Sequence, residues 1–127
     1  MTMYIKIILL MILLHIIDDF VLQPISLSKL KQKTFWKPYL KDSNLYKNDY
    51  KVALIIHGLS WSIIIHIPFM LLPINEYWIL FSVIINAIFH AWIDDKKANK
   101  LSINLLTDQI IHLFQIITIF VFTISKL

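Results

Sequence analysis

Four long apolar segments, separated by polar loops, make up most of this sequence. They cover roughly residues 5–22, 52–72, 77–94 and 103–125. Each has about 18 residues or more, which is the length that an α-helix needs to cross the hydrocarbon core of a bilayer. Hydrophobic residues form 58% of the chain, above the roughly one half that is usual for soluble domains. The pattern predicts one all-α domain, 1–127, folded as an integral membrane four-helix bundle.

The lysines indicate how these helices are oriented. Ten of the twelve lie in the loop 24–51 and in the loop after the third segment, and the chain has no arginine. Both loops fall on the same side of the membrane, so the positive-inside rule places them in the cytoplasm and both termini outside. We therefore expect a multi-pass protein of the cytoplasmic (inner) membrane, with the first segment retained rather than removed as a signal peptide.

The loop 24–51 combines seven lysines with several aromatic residues, which is typical of a membrane–water interface. It predicts contact with anionic lipid headgroups, either as an anchored linker or as a segment that gathers substrate. Topology explains the net charge of +4 better than nucleic-acid binding does, and we expect no nucleic-acid partner. The expected partner is the lipid bilayer, and assembly into a homo-oligomer is left open.

Histidine and aspartate recur four residues apart inside the apolar segments. Residues at this spacing lie on one face of a helix, one turn apart. Given the direction of each segment, all the residues concerned fall in one layer near the cytoplasmic face, whereas His66 lies deeper along its helix. The layer contains three pairs and one lone histidine: His15 and Asp19, His90 and Asp94, Asp108 and His112, and His57.

The buried carboxylates of this layer need partners, because an aspartate at the centre of a membrane helix costs roughly 2.5–3.5 kcal/mol. Histidine nitrogen and carboxylate oxygen are the ligands of divalent transition metals. With no cysteine in the chain, thiolate sites are excluded. We predict one or two ions of zinc, manganese or iron, with all seven residues of the layer as ligands. Four further residues are predicted to support these ligands: Asp18, Gln23, Asp95 and Gln109.

A weak internal repeat accompanies this layer. The first and third segments end alike, in HIIDDF and HAWIDDKK, and each is followed by a segment with a histidine at the same depth. This favours two helix pairs related by a pseudo-two-fold axis along the membrane normal. Gly58 and Ser62 form a small-xxx-small pair, which predicts the close approach of a neighbouring helix.

Four stretches carry a resemblance to a known family: HIIDDFVLQP (15–24), His57, HAWIDDKK (90–97) and TDQIIHLFQ (107–115). Together they resemble a family of small bacterial and phage-encoded membrane proteins of unknown function, with H-x-x-x-D-F-x-x-Q near the start and D-Q-x-x-H near the end. The resemblance covers nearly the whole chain and implies a compact four-helix membrane protein, without implying an activity. More loosely, the H-x-x-x-D helices are similar to those of membrane-bound metal-dependent hydrolases.

Three functions are compatible with these features, and no catalytic residue is assigned among them. The first is a metal-dependent hydrolase that acts on a lipid-linked or phosphorylated substrate at the cytoplasmic face. The second is a module that binds or transports a divalent cation or protons. The third is an accessory subunit in which a structural metal holds the helices together.

Overall fold

All regular structure in the described chain is helical. The computed structural model describes residues 2–40 and 44–127, and these ranges contain no strand, which confirms the predicted all-α class for them. Six α-helices follow one another in these ranges: α1 (Met3–Ile17), α2 (Ile25–Leu30), α3 (Lys33–Trp36), α4 (Asp49–Met70), α5 (Glu76–Ala98) and α6 (Leu105–Ile124).

The three longest helices correspond to the last three predicted segments. Within the described residues, α4, α5 and α6 are the helices long and apolar enough to cross a membrane. Both α4 and α5 extend past their apolar parts, from Asp49 at the start of α4 and to Ala98 at the end of α5. Lysine is a good helix former, so the polar turn at the end of α5 continues the helix that the apolar pattern alone would have stopped.

The first predicted segment forms a shorter α-helix than the other three. α1 has 15 residues, which is about 22 Å at 1.5 Å per residue and less than the roughly 30 Å of a hydrocarbon core. A π-helical turn, Asp18–Leu22, continues it, and the helical path stops at Gln23. Pro24 explains this end, because the residue before a proline is disfavoured in the α-helical conformation.

The predicted loop 24–51 contains short helices. α2 and α3 are followed by a 3-10 turn, Lys37–Leu40, while residues 41–43 of the predicted loop lie outside the described residues. The indole N–H of Trp36 donates to the carbonyl oxygen of Leu30 at 2.9 Å, which fastens α3 to the end of α2.

Asn99, just after α5, holds this region in place. Its Oδ1 accepts from the backbone N–H of Lys33 at 2.6 Å, and its Nδ2 donates to the carbonyl oxygen of Lys31 at 3.0 Å. We call residues 24–40 the cover segment. The two hydrogen bonds from Asn99 hold the backbone of the cover segment against the end of α5. The side chains of the cover segment can therefore take part in a site at that end.

α4 and α5 pack very closely along their middle. A Cβ atom at Gly58 would lie 2.5 Å from the carbonyl oxygen of Ala87, so this separation requires glycine. Ser62 donates from Oγ to the carbonyl oxygen of Val83 at 2.8 Å. The predicted close approach at Gly58 and Ser62 is therefore confirmed, and α5 is the neighbour. α1 packs against α4 and α6, and α5 also packs against α6.

The interior has an apolar half and a polar half. The apolar half includes fully buried side chains from α1, α4 and α6: Met11, Trp61, Ile65, Phe69 and Ile116. The polar half contains buried histidines and aspartates. Large apolar side chains cover the outer faces of the helices, among them Leu13, Ile55, Ile84, Ile88 and Phe114. An outer surface of this extent and kind is typical of a protein that meets lipid or another apolar partner.

Candidate metal centre

The seven residues predicted as ligands come together in the polar half. They lie where α1 and α5 end and where α4 and α6 begin, so four helix segments contribute to one layer. Nitrogen–oxygen distances of 3.3 to 3.9 Å connect all seven. One series runs from His15 through Asp19 and His57 to Asp94. From Asp94 it branches to His90 and to His112, and His112 contacts Asp108.

Asp94 lies at the centre of the cluster. Its Oδ1 is 3.9 Å from Nε2 of His90 and 3.6 Å from Nε2 of His112, and its Oδ2 is 3.6 Å from Nε2 of His57. These distances exceed the range of about 2.7–3.2 Å for N–H···O hydrogen bonds. Two ligands of one tetrahedral metal ion, each at about 2.0–2.1 Å, lie roughly 3.3 Å apart. The spacing is therefore closer to that of atoms sharing a metal ion than to that of direct hydrogen bonds.

Two overlapping groups of side chains could hold a metal ion. One consists of Asp19, His57 and His90, and the other of His90, Asp94 and His112. Within each group the potential ligand atoms all lie within 4.8 Å of one another. His90 belongs to both groups, and all three members of the second group are buried.

The imidazoles of His90 and His112 are fully buried without hydrogen bonds. Among the described residues, neither nitrogen of either ring has a hydrogen-bond partner. The two rings stack with their centroids 4.1 Å apart, and the Trp61 ring stacks on His90 at 4.3 Å. Because an unpaired buried polar atom costs about 1–3 kcal/mol, these nitrogens are candidates for metal binding. Oδ1 of Asp108 lies 3.3 Å from Nε2 of His112.

His15 has a different environment from His90 and His112. The Trp61 indole N–H donates to its Nδ1 at 2.8 Å, so Nδ1 is an acceptor and the proton lies on Nε2. Nε2 then donates to Oε1 of Gln109 at 3.1 Å. Both nitrogens are thus occupied, and His15 belongs to neither group of potential ligand atoms. Trp61 was not predicted as a site residue, although its position one turn after His57 on the same helix face was a usable signal.

The π-helical turn brings two consecutive aspartates to the cluster. Asp18 accepts a hydrogen bond from Oγ of Ser60 at 3.0 Å, and its Oδ2 lies 3.8 Å from Nδ1 of His57. Asp19 approaches the opposite nitrogen of the same ring, with Oδ1 3.6 Å from Nε2. A carboxylate behind a ligating histidine orients the ring and raises its basicity. Asp18 lies beside the His57 ring, but its 3.8 Å separation from Nδ1 is longer than a hydrogen bond, so its predicted supporting role stays a prediction.

The predicted supporting residue Gln109 joins α6 to the turn after α1. Its Nε2 donates to Oδ2 of Asp19 at 3.1 Å and to Oδ2 of Asp108 at 3.2 Å. Asp95, also predicted to support the ligands, instead accepts a hydrogen bond from Asn99 at 2.9 Å at the end of its own helix.

Two lysines that sequence analysis missed contact the cluster. Nζ of Lys31 lies 2.5 Å from Oδ2 of Asp94 and donates to Oε1 of Gln23 at 3.2 Å. Nζ of Lys97 donates to Oδ2 of Asp108 at 2.6 Å. Lys97 lies three residues after Asp94, so helical spacing could have placed it on the same helix face as that carboxylate. Lys31 comes from the distant cover segment, and no local pattern points to it.

A second polar network lies among α4, α5 and α6. His66 contacts the carbonyl oxygen of Ser62 through Nδ1 at 2.7 Å and Oγ of Ser82 through Nε2 at 2.8 Å. Asn86 donates to Ser82, and Gln115 donates to Asn86. No hydrogen bond between described residues joins this network to the seven-residue cluster, which agrees with the prediction that His66 stands apart.

No protein-family model, no curated protein and no solved structure matches this chain.

Proposed function

We propose that the chain is an integral protein of the cytoplasmic membrane. In this proposal α4, α5 and α6 cross the bilayer, together with α1 extended by its π-helical turn, as a four-helix bundle with both termini outside. The apolar outer faces and the lengths of α4, α5 and α6 support the proposal. The motifs around His15 and Asp108 remain its link to the small four-helix membrane family named above.

The unpaired nitrogens of His90 and His112 around Asp94 are the observation that carries the proposed metal site. In the proposal, one divalent ion of zinc, manganese or iron is held by these three side chains. Asp19 and His57 lie next to it, with Asp18 behind His57.

The charge of the cluster agrees with one such ion. Four aspartates, Asp18, Asp19, Asp94 and Asp108, lie in or beside the layer. Among the described residues, two ammonium groups contact them, those of Lys31 and Lys97. With neutral imidazoles, two negative charges remain uncompensated, and one divalent cation balances them.

The proposed activity is hydrolysis of a phosphorylated or lipid-linked substrate. A divalent metal ion bound there supplies Lewis acidity and a water-derived nucleophile at neutral pH. Asp94 also lines a cavity of about 360 Å³ at the end of α5, which reaches the edge of the proposed site. Three protein ligands leave one coordination position of a tetrahedral ion open, as is typical of catalytic metal sites.

Elemental analysis of the detergent-purified protein tests the metal site. We expect about one equivalent of a transition metal per chain, lost in Asp94→Asn and in His112→Ala. His66→Ala is the matched control, because His66 is a buried histidine outside the cluster, and it should keep the metal. A wild-type protein that contains no metal, and gains no thermal stability when zinc, manganese or iron is added, would contradict the proposal.

The hydrolase activity is tested on the metal-loaded protein with a panel of soluble and lipid phosphate esters. We expect release of inorganic phosphate that disappears in Asp94→Asn and persists in His66→Ala. Bound metal without turnover of any ester would instead favour an accessory subunit with a structural metal.

A proton or cation transport function is favoured by a different observation, the network from Gln115 through Asn86 and Ser82 to His66. It lies among α4, α5 and α6 and offers polar groups beyond the cluster. A flux of protons or of a divalent cation into proteoliposomes, lost in His66→Leu, would support transport. Flux that is absent, together with metal-dependent turnover, would support the hydrolase.

A further inference from the structure

A cavity opens between the cover segment and the end of α5. Its volume is about 360 Å³, near the lower limit of small-molecule sites. Amides and hydroxyls from both sides line it, including Gln23, Ser28, Gln32, Thr34 and Asn99. Such a lining favours a small polar group over an acyl chain.

Lys31 and Lys97, the two lysines that contact the seven-residue cluster, also line this cavity. Lys31 is only 6% exposed, which is unusual for a lysine, and its ammonium group is held by Asp94 and Gln23. An ammonium group has three N–H donors, so Lys31 keeps one and Lys97 keeps two beyond their hydrogen bonds to described residues. The cavity is thus lined by two ammonium groups, a buried one on Lys31 and a more exposed one on Lys97, whose side chain is 37% exposed, and also by the carboxylate of Asp94 that pairs with Lys31.

The cavity is adjacent to the candidate metal group through one carboxylate. Asp94 lines the cavity and pairs with Lys31 through Oδ2, while its Oδ1 faces the nitrogens of His90 and His112. An anion held by Lys31 would therefore lie one carboxylate away from the proposed metal ion. The cavity therefore borders the proposed metal group at Asp94.

We propose that this cavity binds the phosphate group of a phosphomonoester, with Lys31 and Lys97 as its cationic contacts. Asp94 and Asp108 position the two ammonium groups, and the amides and hydroxyls of the lining complete the site. The inference rests on the proposed hydrolase function and names its substrate class and its binding residues. The phosphomonoester comes either from a soluble metabolite or from a lipid headgroup, since the cavity lies at the end of an apolar helix.

Binding of radiolabelled inorganic phosphate to the metal-containing protein in phosphatidylcholine nanodiscs tests this proposal. We expect saturable binding of one phosphate per chain. The dissociation constant should rise at least about tenfold in Lys97→Gln and in Lys31→Gln, because each loses a charged contact. Lys100→Gln is the matched control, since Lys100 lies at the same end of α5, pairs with Asp95 and does not line the cavity.

The lipid source is distinguished by adding phosphatidic acid or phosphatidylglycerol to the nanodiscs. Competition by phosphatidic acid alone would identify a lipid phosphomonoester headgroup. Unchanged binding of inorganic phosphate in both lipids would identify a soluble phosphomonoester.

Two outcomes would overturn the inference. The first is the absence of saturable phosphate binding by a wild-type protein that retains its metal. The second is an equal affinity for phosphate in the wild type and in Lys97→Gln. If Lys31→Gln fails to fold, Lys97→Gln and the cavity-filling variant Ser28→Phe decide the matter. Lysine-dependent phosphate binding by a protein that never contains metal would support the cavity while contradicting the metal site, so the two proposals fail separately.

Discussion

Four imidazoles share one layer, and three of them, His15, His90 and His112, fall into two kinds by their surroundings. His15 is held by a hydrogen bond at each nitrogen, to Trp61 and to Gln109. His90 and His112 are equally buried and have no hydrogen bond at either nitrogen within the described chain. Because a ligand needs a free lone pair, the second kind can bind a metal as it stands, while the first orients its neighbours.

This division predicts that His15→Ala and His90→Ala differ in metal content. His15→Ala leaves the buried Trp61 indole N–H unpaired, so the free energy of unfolding should fall by about 1–3 kcal/mol while the metal stays bound. His90→Ala should remove the metal. Elemental analysis and thermal unfolding of the two purified variants check this. Metal loss in His15→Ala as complete as in His90→Ala would show that His15 is a ligand, as the sequence pattern first suggested.

At the residue scale, the sequence predicted which side chains meet but not what each one does. The four-residue spacing of His90 and Asp94 is a local property of a helix, so it can be read from the chain. The positions of Lys31 against Asp94 and of Trp61 against His15 depend on contacts between distant segments. The division of roles among the histidines follows from those contacts and could not be predicted.

The elements of the fold depend most on the approach of α4 to α5. We expect Gly58→Ala to destabilise the protein, because the added methyl group would lie 2.5 Å from the carbonyl oxygen of Ala87 and would force the helices apart. A cost of about 1–3 kcal/mol is typical of overpacking of this kind. Thermal unfolding in detergent measures it. Leu59→Ala, at an exposed neighbour on α4, is the control, and equal stability of Gly58→Ala and wild type would mean that the helices can separate without cost.

At the element scale, the last three predicted segments correspond to long helices, whereas the first is a 15-residue α-helix continued by a π-helical turn. Pro24 marked the end of the first segment correctly, but the π-helical turn before it was not foreseen. In a regular α-helix, Asp18 and Asp19 would diverge by about 100° around the axis. Both carboxylates nevertheless lie within 3.8 Å of His57, at its two opposite nitrogens, which no count of helical spacing reveals.

At the scale of the whole molecule, the buried aspartates and most buried histidines lie inside one half, a smaller polar network around His66 lies in the other, and apolar side chains cover the outside. In water this arrangement would expose a large apolar surface, whereas in a bilayer the same surface is solvated by lipid. The buried aspartates then gain from a divalent cation more than they would in water, because no solvent is present to stabilise their charge.

The proposed topology is open to a direct test because the chain contains no cysteine. The substitutions Glu76→Cys, at the first residue of α5, and Asn44→Cys and Ser102→Cys, in the two lysine-rich loops, each place a single cysteine at an exposed position. In right-side-out membrane vesicles, a membrane-impermeant maleimide should label Glu76→Cys at once. It should label Asn44→Cys and Ser102→Cys only after detergent is added, because the lysines retain their loops in the cytoplasm.

The reverse pattern would invert the topology and move the metal cluster to the outer face. Immediate labelling of all three would instead show that α4 and α5 do not cross the bilayer. The wild-type protein, which has no cysteine to label, controls for background.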